Sequence, residues 1–274
     1  MRLSPTFVIT VEQCTLRARW LRIDKAHKDT PDADEGLRSG RAVHQALEKI
    51  YTDVVNERHV GPLHSPAWLG RARHHIDQAV ADNGPFNDQR ISDMRMQVLD
   101  YLLDQHQVAG GDILGVEQFL QMGLRPGTNV VGFVDRIDRR DSATLGVVDY
   151  KGGWRRWHPD IVRSELQTQT YALVAFKRHP WARKVLVEIA MLGHRETASA
   201  VWTDQDMPTL EAQLRERYLA ADDLMKDGPW EARRGDHCDR CEFKPWCPEW
   251  GGTPQPGTWN PELEALQPEG EDDG

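Results

Sequence analysis

Two carboxylates and a lysine lie close together in two short segments of the chain, GFVDRID (residues 132–138) and VVDYKGG (147–153). Both segments have the composition and alternation of β-strands, so successive side chains should point to opposite faces of a sheet. Asp135 then shares a face with apolar neighbours, and Asp149 shares a face with Lys151. The sequence therefore predicts an acidic pair and a lysine on neighbouring strands.

A divalent cation would compensate for burying these charges. Moving carboxylates into apolar surroundings costs free energy unless a partner is present. Asp135, Asp149 and the backbone carbonyl of Tyr150 offer hard oxygen ligands of the kind that Mg²⁺ or Mn²⁺ prefers. Lys151 would then lie beside the metal, where it could orient a water molecule or stabilise negative charge on a phosphate. An ordinary Asp–Lys ion pair at a strand end is the alternative.

Two further pairs have helical spacing. Gly40 and His44 form G-x3-H within a predicted helix, and His44 is off the apolar stripe of that helix. Gln167 and Tyr171 are four residues apart and should share one helix face directly after the strands. Glu117, on the preceding strand, is either a further member of the acidic cluster or an ordinary strand-face charge.

The four cysteines form a second candidate metal site. Cys238, Cys241 and Cys247 read C-x2-C-x5-C, and Cys14 lies far upstream. Four thiolates suit zinc or an iron–sulfur cluster, and spacing alone does not separate the two. Unliganded buried thiols are the alternative, and His237 is the next candidate for a fourth ligand.

A basic and aromatic segment follows Lys151 directly. Arginines bind phosphates and tryptophans stack on unpaired bases, so this segment is a candidate DNA-binding surface that suits a single strand. Packing of either tryptophan against the following helix is the alternative. The residues concerned are Trp154, Arg155, Arg156 and Trp157.

The elements that must position these residues follow from hydrophobic periodicity and turn signals. The pattern predicts an α+β fold with a mixed sheet flanked by helices. Strands are predicted at Thr6–Thr10, 113–124, 130–138, 145–151, 184–192 and 198–203. Helices are predicted at 39–55, 65–82, 88–108, 160–176 and 205–227, with a cysteine-rich segment at 237–250.

Composition limits the classes of protein that fit. The chain has 274 residues, of which 39% are hydrophobic and 28% charged, with a net charge of −9. This balance argues against a protein that coats DNA irrespective of sequence, but not against a nuclease with a local basic groove. With no long apolar run and no signal peptide, we expect no membrane contact and a cytoplasmic location. One domain is predicted over residues 1–253, with an acidic, disordered tail at 254–274.

The order of these motifs resembles the RecB-type branch of the PD-(D/E)xK nuclease superfamily. The resemblance implies a restriction-endonuclease-like core and metal-dependent hydrolysis of phosphodiester bonds. It implies three metal ligands, one catalytic lysine and an accessory pair that arranges the site and contacts DNA. These are, in turn, His44, Asp135 and Asp149; Lys151; and Gln167 and Tyr171.

The cysteine arrangement resembles that of the CRISPR-associated iron–sulfur exonucleases and of AddB-type helicase–nuclease subunits. It implies a structural [4Fe–4S] cluster that closes the core by joining Cys14 to the C-terminal cysteines. The expected activity is a single-strand DNA exonuclease. An endonuclease or end-processing subunit of a larger complex, as in CRISPR spacer acquisition, and a non-catalytic DNA-binding subunit stay open. So do a homo-oligomer and partner proteins of recombination or CRISPR systems.

Overall fold

The computed structural model describes residues 1–26, 35–104 and 110–254, and the chain divides into two compact units. We call Asp32–Met122 with Val131–Leu214 the sheet unit. Met1–Pro31, Gly123–Val130 and Arg215–Gly274 form the cysteine unit. The predicted acidic tail lies outside the described residues from position 255 onward. A single domain over residues 1–253 stays a prediction.

The strands form a mixed sheet, as predicted. Their bounds are β1 (Arg2–Leu3), β2 (Ile113–Arg125), β3 (Thr128–Arg139), β4 (Thr144–Lys151), β5 (Lys184–Met191) and β6 (Glu196–Thr203). In the sheet unit β3, β4, β5 and β6 are neighbours in that order, and β2 pairs with β3. The β4–β5 pair is parallel, whereas β3–β4 and β5–β6 are antiparallel. In the cysteine unit β1 runs parallel to the first residues of β3.

In the sheet unit, helices pack on one face of the sheet and a further helix contacts the other face. The helices of the described residues are α1 (Pro5–Gln13), α2 (Thr15–Arg22), α3 (Glu35–Asn56), α4 (Pro66–Asn83), α5 (Asp88–Asp104), α6 (Pro159–Ser164), α7 (Leu166–Arg178) and α8 (Met207–Asp227). Val148 and Tyr150 of β4 belong to one buried cluster with α3, α4 and α5. Asp149 points to the other face, where Gln167 of α7 contacts it. The predicted α+β class and the flanked mixed sheet are therefore confirmed.

Two predicted elements differ from the structure. The predicted strand Thr6–Thr10 is wrong, because this segment lies within α1. Its β-branched residues suggest a strand, but Ser4 accepts the Phe7 N–H at 3.3 Å as an N-cap, and Pro5 occupies the first turn. The helix predicted at 160–176 is two helices, because Glu165 has extended backbone angles between α6 and α7.

The cysteine unit has a small aromatic core of its own. Cys14, Leu16, Trp20 and Phe243 are buried together, and the Trp20 and Phe243 rings meet edge to face at 5.5 Å. Between α8 and residue 254, the last residue described, the chain forms three short 3₁₀ turns, at Asp236–Arg240, Lys244–Trp246 and Pro248–Trp250. Within the described residues, no helix is both long enough and apolar enough to cross a membrane.

A fully buried ion pair lies in β3 of the sheet unit. Arg136 and Asp138 both have no exposed side-chain surface. Arg136 Nε donates to both oxygens of Asp138 at 3.0 and 3.1 Å, and its Nη1 donates to the Tyr150 hydroxyl at 3.0 Å. The guanidinium also lies 4.2 Å from the ring centre of Tyr51. Removing one partner would therefore leave an uncompensated charge in the core.

We expect Arg136→Met to lower the free energy of unfolding by about 3–5 kcal/mol, because it leaves the Asp138 carboxylate buried without its main partner. Arg95→Met breaks an exposed ion pair with Asp77 and serves as the matched control, with an expected loss below about 1 kcal/mol. Urea denaturation of the two variants measures both values. Equal losses would contradict a structural role for the buried pair.

Candidate active site

The site lies in the sheet unit where β3 and β4 stop pairing. Their antiparallel register runs from Arg139–Leu145 to Arg136–Val148. At the next position Asp135 Oδ2 accepts the backbone N–H of Tyr150 at 2.6 Å. The carboxylate therefore takes a partner from the neighbouring strand, and this bond fixes its orientation.

Three possible metal-binding side chains meet at this point. His44 Nδ1, from α3, lies 3.2 Å from Asp135 Oδ1. One ligand atom each from His44, Glu117 and Asp135 lie within 4.8 Å of one another, and this is the one such group among the described residues. We call it the metal triad. The sequence left open whether Glu117 belongs to the acidic cluster, and in the structure its carboxylate lies close to that of Asp135.

The environment of the metal triad changes the acidity of its members. Burial, followed by the charge of Asp135, raises the pKa of Glu117 to about 7. Burial acts to lower the pKa of His44, but the hydrogen bond and charge of Asp135 outweigh it, and the net pKa is raised. The backbone of Glu117 also has a positive φ of 46° within β2, a conformation that costs free energy for a residue other than glycine.

Next to the metal triad, Lys151 and Asp149 of β4 form an ion pair. Lys151 Nζ lies 2.6 Å from Asp149 Oδ2 and donates to Gln167 Oε1 at 3.3 Å. Gln167 Nε2 donates to the Tyr171 hydroxyl at 2.9 Å and to Asp149 Oδ1 at 3.3 Å. Burial raises the pKa of Asp149, and the charge of Lys151 offsets part of this effect. Gln167 therefore contacts both the Asp–Lys pair and Tyr171, which lies four residues later on α7.

The donor set fits a hard divalent cation. Two carboxylates and an imidazole suit Mg²⁺ or Mn²⁺ better than a soft metal. The buried Asp149 Oδ2 has no aligned hydrogen bond, although the Lys151 ammonium is close, so this oxygen keeps capacity for a further cationic partner. Tyr150 contributes its backbone N–H to the site as the donor to Asp135 Oδ2. Binding of a metal by its carbonyl oxygen stays a prediction.

An open groove borders the metal triad. It is lined by Arg41, Gln45 and Glu48 of α3 together with His44 and Glu117. Arg41 is exposed and lies three residues before His44, on the same side of the helix. Sequence reasoning missed Arg41, although its spacing from His44 was a usable signal.

The two tryptophans of the basic and aromatic segment differ in how far they are buried. Trp154 is 79% exposed, whereas Trp157 is 7% exposed. Arg155 pairs with Glu165 and its guanidinium covers the Trp157 ring at 4.5 Å, while Arg156 pairs with Glu196. Trp157 is thus buried with its ring covered by Arg155, whereas the ring of Trp154 is exposed; binding of DNA by this segment stays a prediction.

The four cysteines come together in the cysteine unit. All four are free, and Cys14, Cys238, Cys241 and Cys247 line one cavity. Cys14 ends α1, and its Sγ accepts the Arg17 N–H of α2 at 3.4 Å. Burial raises the pKa of Cys241 and of Cys247. His237 Nε2 lies 3.7 Å from Cys238 Sγ.

The chain belongs to the PD-(D/E)XK nuclease superfamily, whose family model matches residues 2–248. This confirms the resemblance seen in the sequence. No curated protein matches the chain.

Among solved structures, a "putative exonuclease" from Eubacterium rectale has a TM-score of 0.51 at 10% identity, covering 88% of this chain and 87% of that one. The crystal structure of SSO0001 gives a TM-score of 0.36 at 16% identity, covering 76% and 95% of the two chains. Rai1 from Scheffersomyces stipitis gives 0.24 at 11% identity, covering 79% and 66%. At these identities the first likeness concerns the fold alone.

The raised pKa of Glu117 predicts a pH-dependent stability. In EDTA the folded protein holds the Glu117 proton more tightly than the unfolded chain, because the pKa is about 7 when folded against an ordinary 4.5. The free energy of unfolding should fall as the pH rises between these values, and Glu117→Gln should remove this part of the fall. Urea denaturation across this range measures the difference between the two proteins.

Glu57→Gln makes the same chemical change at an exposed carboxylate and should leave the pH profile as in the wild type. Mn²⁺ should raise the unfolding temperature of the wild type more at about pH 8 than at about pH 5.5, because the ion competes with protons for the carboxylate. Parallel profiles for wild type and Glu117→Gln would contradict the raised pKa.

Proposed function

We propose that this protein is a metal-dependent nuclease that hydrolyses DNA phosphodiester bonds, acting as an exonuclease on single-stranded ends. The observation that carries the proposal is the metal triad beside the Lys151–Asp149 pair, in a chain of the PD-(D/E)XK superfamily. Two carboxylates held this close to a third are costly for a module that only binds DNA, which disfavours the non-catalytic alternative.

Each side chain has a role that follows from its position. His44, Glu117 and Asp135 would hold Mg²⁺ or Mn²⁺, with Asp149 as a further ligand on the Lys151 side. The bound ion supplies Lewis acidity toward the phosphate and lowers the pKa of a bound water. Lys151 stabilises the negative charge that develops on the phosphate and orients the attacking water.

Gln167 and Tyr171 keep the Lys151 ammonium in place. Gln167 accepts from the ammonium through Oε1 and donates through Nε2 to Tyr171 and Asp149. Since both residues stand on one turn of α7, a shift of this helix would move the lysine. We assign them as positioning residues that also border the path of the DNA.

Two observations support an exonuclease that acts on single strands. The Eubacterium rectale protein of similar fold bears the description "putative exonuclease". Trp154 offers an exposed ring three residues after Lys151, and such a ring can stack on an unpaired base. An endonuclease or end-processing subunit of a larger complex remains the second candidate.

We expect Lys151→Ala and Asp149→Ala each to lower the rate of cleavage at least about 100-fold in Mg²⁺ or Mn²⁺, because each removes a charge that acts on the reacting phosphate. Lys177→Ala removes an exposed lysine paired with Glu211 on the sheet unit and should cleave like the wild type. Release of nucleotides from end-labelled single-stranded and duplex DNA measures the rates, with EDTA as the metal-free control.

Circular single-stranded DNA tells the two candidate activities apart. An exonuclease leaves it intact while it degrades the linear form, whereas an endonuclease cuts both. Wild-type rates in both the Lys151 and Asp149 variants, with folding verified by circular dichroism, would rule out this active site.

The cysteine cavity supports a structural [4Fe–4S] cluster as the second cofactor. A single zinc ion with Zn–S bonds of about 2.3 Å brings its four sulfurs to about 3.8 Å from one another. All four cysteines line one cavity of the cysteine unit, and four thiolates also suit an iron–sulfur cluster. The resemblance of the cysteine arrangement to that of the iron–sulfur exonucleases is what supports the cluster over a single zinc ion.

The anaerobically purified protein should be brown, absorb near about 400 nm and contain about four irons per chain. Cys14→Ser should lose as much iron as Cys247→Ser, because each supplies one ligand to the same cluster. Iron analysis and limited proteolysis of the chain ends measure the two effects.

His237→Ala is the control, since its imidazole lies beside Cys238 without being one of the four thiols. Full iron in Cys14→Ser, together with loss in His237→Ala, would reassign the fourth ligand to His237. A colourless protein with one zinc would reject the cluster and leave the nuclease site unaffected.

A further inference from the structure

Two phenylalanines on neighbouring strands of the sheet unit have side chains exposed to solvent. Phe119 of β2 is 40% exposed and Phe133 of β3 is 58% exposed. Their ring centres are 5.2 Å apart, with the planes tilted by 52°. A cross-strand aromatic pair makes a modest contribution to the stability of a sheet, and apolar surface that is exposed and contiguous is a candidate binding surface.

The ring pair adjoins the metal triad on both strands. Phe119 is two residues beyond Glu117, and Phe133 is two residues before Asp135. β2 pairs with β3, and two side-chain contacts bridge these strands here: the Phe119–Phe133 ring pair and the close approach of Glu117 to Asp135. On β3, at about 3.3 Å of rise per residue, Phe133 lies about 7 Å along the strand from Asp135.

A positive charge accompanies the rings. Arg178, at the end of α7, is exposed, and its Nη1 donates to the Phe119 carbonyl at 2.9 Å. The same helix carries Gln167 and Tyr171 beside Lys151. α7 thus extends from the Asp–Lys pair to the ring pair and has a basic residue at the far end.

Aromatic rings next to an arginine are the combination that binds single-stranded nucleic acid, where bases stack on the rings and phosphates meet the charge. A base inside a duplex is paired and stacked already, so a flat exposed ring gains little from it. Stacked nucleotides advance about 3.4 Å each, which makes a separation of about 7 Å equal to about two nucleotides.

We propose that Phe119 and Phe133 form a stacking platform for an unpaired base about two nucleotides from the scissile phosphate, with Arg178 at the adjoining phosphate. This deepens the proposed nuclease function and rests on it for the position of the scissile bond. Because only an unpaired base can stack on these rings, the platform adds binding energy for single strands and little for a duplex. The site is therefore selective for single strands.

Binding to a fluorescein-labelled oligothymidine in EDTA, followed by anisotropy, tests the platform without cleavage. We expect Phe119→Ala/Phe133→Ala to weaken single-strand binding by about 5-fold or more for each lost ring. Duplex binding should change less than about 2-fold. Val201→Ala, an apolar residue 45% exposed on β6, is the matched control and should bind like the wild type. Phe133→Trp keeps a stacking ring and should retain the affinity.

Abasic nucleotides locate the stacked base with the wild-type protein. One abasic residue is placed at each of the first four positions from either end of the oligonucleotide. One position should reproduce the loss seen in the double variant, and the double variant should lose nothing more there. Additive losses at every position would overturn the platform, as would unchanged single-strand affinity in a folded double variant.

The platform and the nuclease function can fail separately. The p-nitrophenyl ester of thymidine 5′-monophosphate lacks a second base, so with Mn²⁺ the wild type and the double variant should hydrolyse it at equal rates. Absence of hydrolysis of this ester and of DNA by the wild type refutes the nuclease function, whereas the binding test in EDTA still decides on the platform. Loss of self-association in the double variant, with normal single-strand binding, would instead assign the rings to a contact with another copy of this chain.

Discussion

The hydrogen bond from the Tyr150 N–H to Asp135 Oδ2, at 2.6 Å, is the contact on which the arrangement of the site depends. It replaces a backbone bond where β3 and β4 stop pairing. The same tyrosine is held a second time, since its hydroxyl accepts from the buried Arg136 at 3.0 Å. Asp135 and Arg136, which are adjacent on β3, thus hydrogen-bond to the backbone and to the hydroxyl of Tyr150. The pair that follows, Asp149 and Lys151, is fixed on either side of a residue that cannot move independently of β3.

The sequence could predict those parts of the site that lie within one element. Alternation in the segments around Asp135 and Asp149 predicts two strands, and helical spacing predicts that Gln167 and Tyr171 share a face. Long-range contact is different, because no periodicity indicates that His44 reaches Asp135 or that Glu117 joins them. These contacts depend on how α3 packs and on the backbone of β2. Burial separates Trp154 from Trp157, and residue type cannot, since both are tryptophans in one polar segment. The Thr6–Thr10 error has a local cause, because the Ser4-Pro5 helix start overrides a β-branched run.

Two donor sets of different chemistry occur in the two units of the chain. The sheet unit collects carboxylates and an imidazole, which favour hard divalent cations, whereas the cysteine unit collects four thiols. The difference limits competition in one direction, because Mg²⁺ has little affinity for thiolates. Burial raises the pKa of Cys241 and Cys247, so a metal that enters the thiol cavity must displace protons. Occupancy of that cavity is therefore favoured as the pH rises.

The left-handed backbone at Glu117, with φ 46° inside a strand, places stability and chemistry in opposition at one position. Glycine adopts this conformation without cost and asparagine does so more readily than glutamate, so either would relieve the strain, and neither could provide the carboxylate. A consensus or directed-evolution screen scored on thermal stability alone would enrich such replacements and discard a metal-triad member without any sign of damage to the fold. Engineering of this chain for thermal stability should therefore keep glutamate at position 117, although its left-handed backbone is strained.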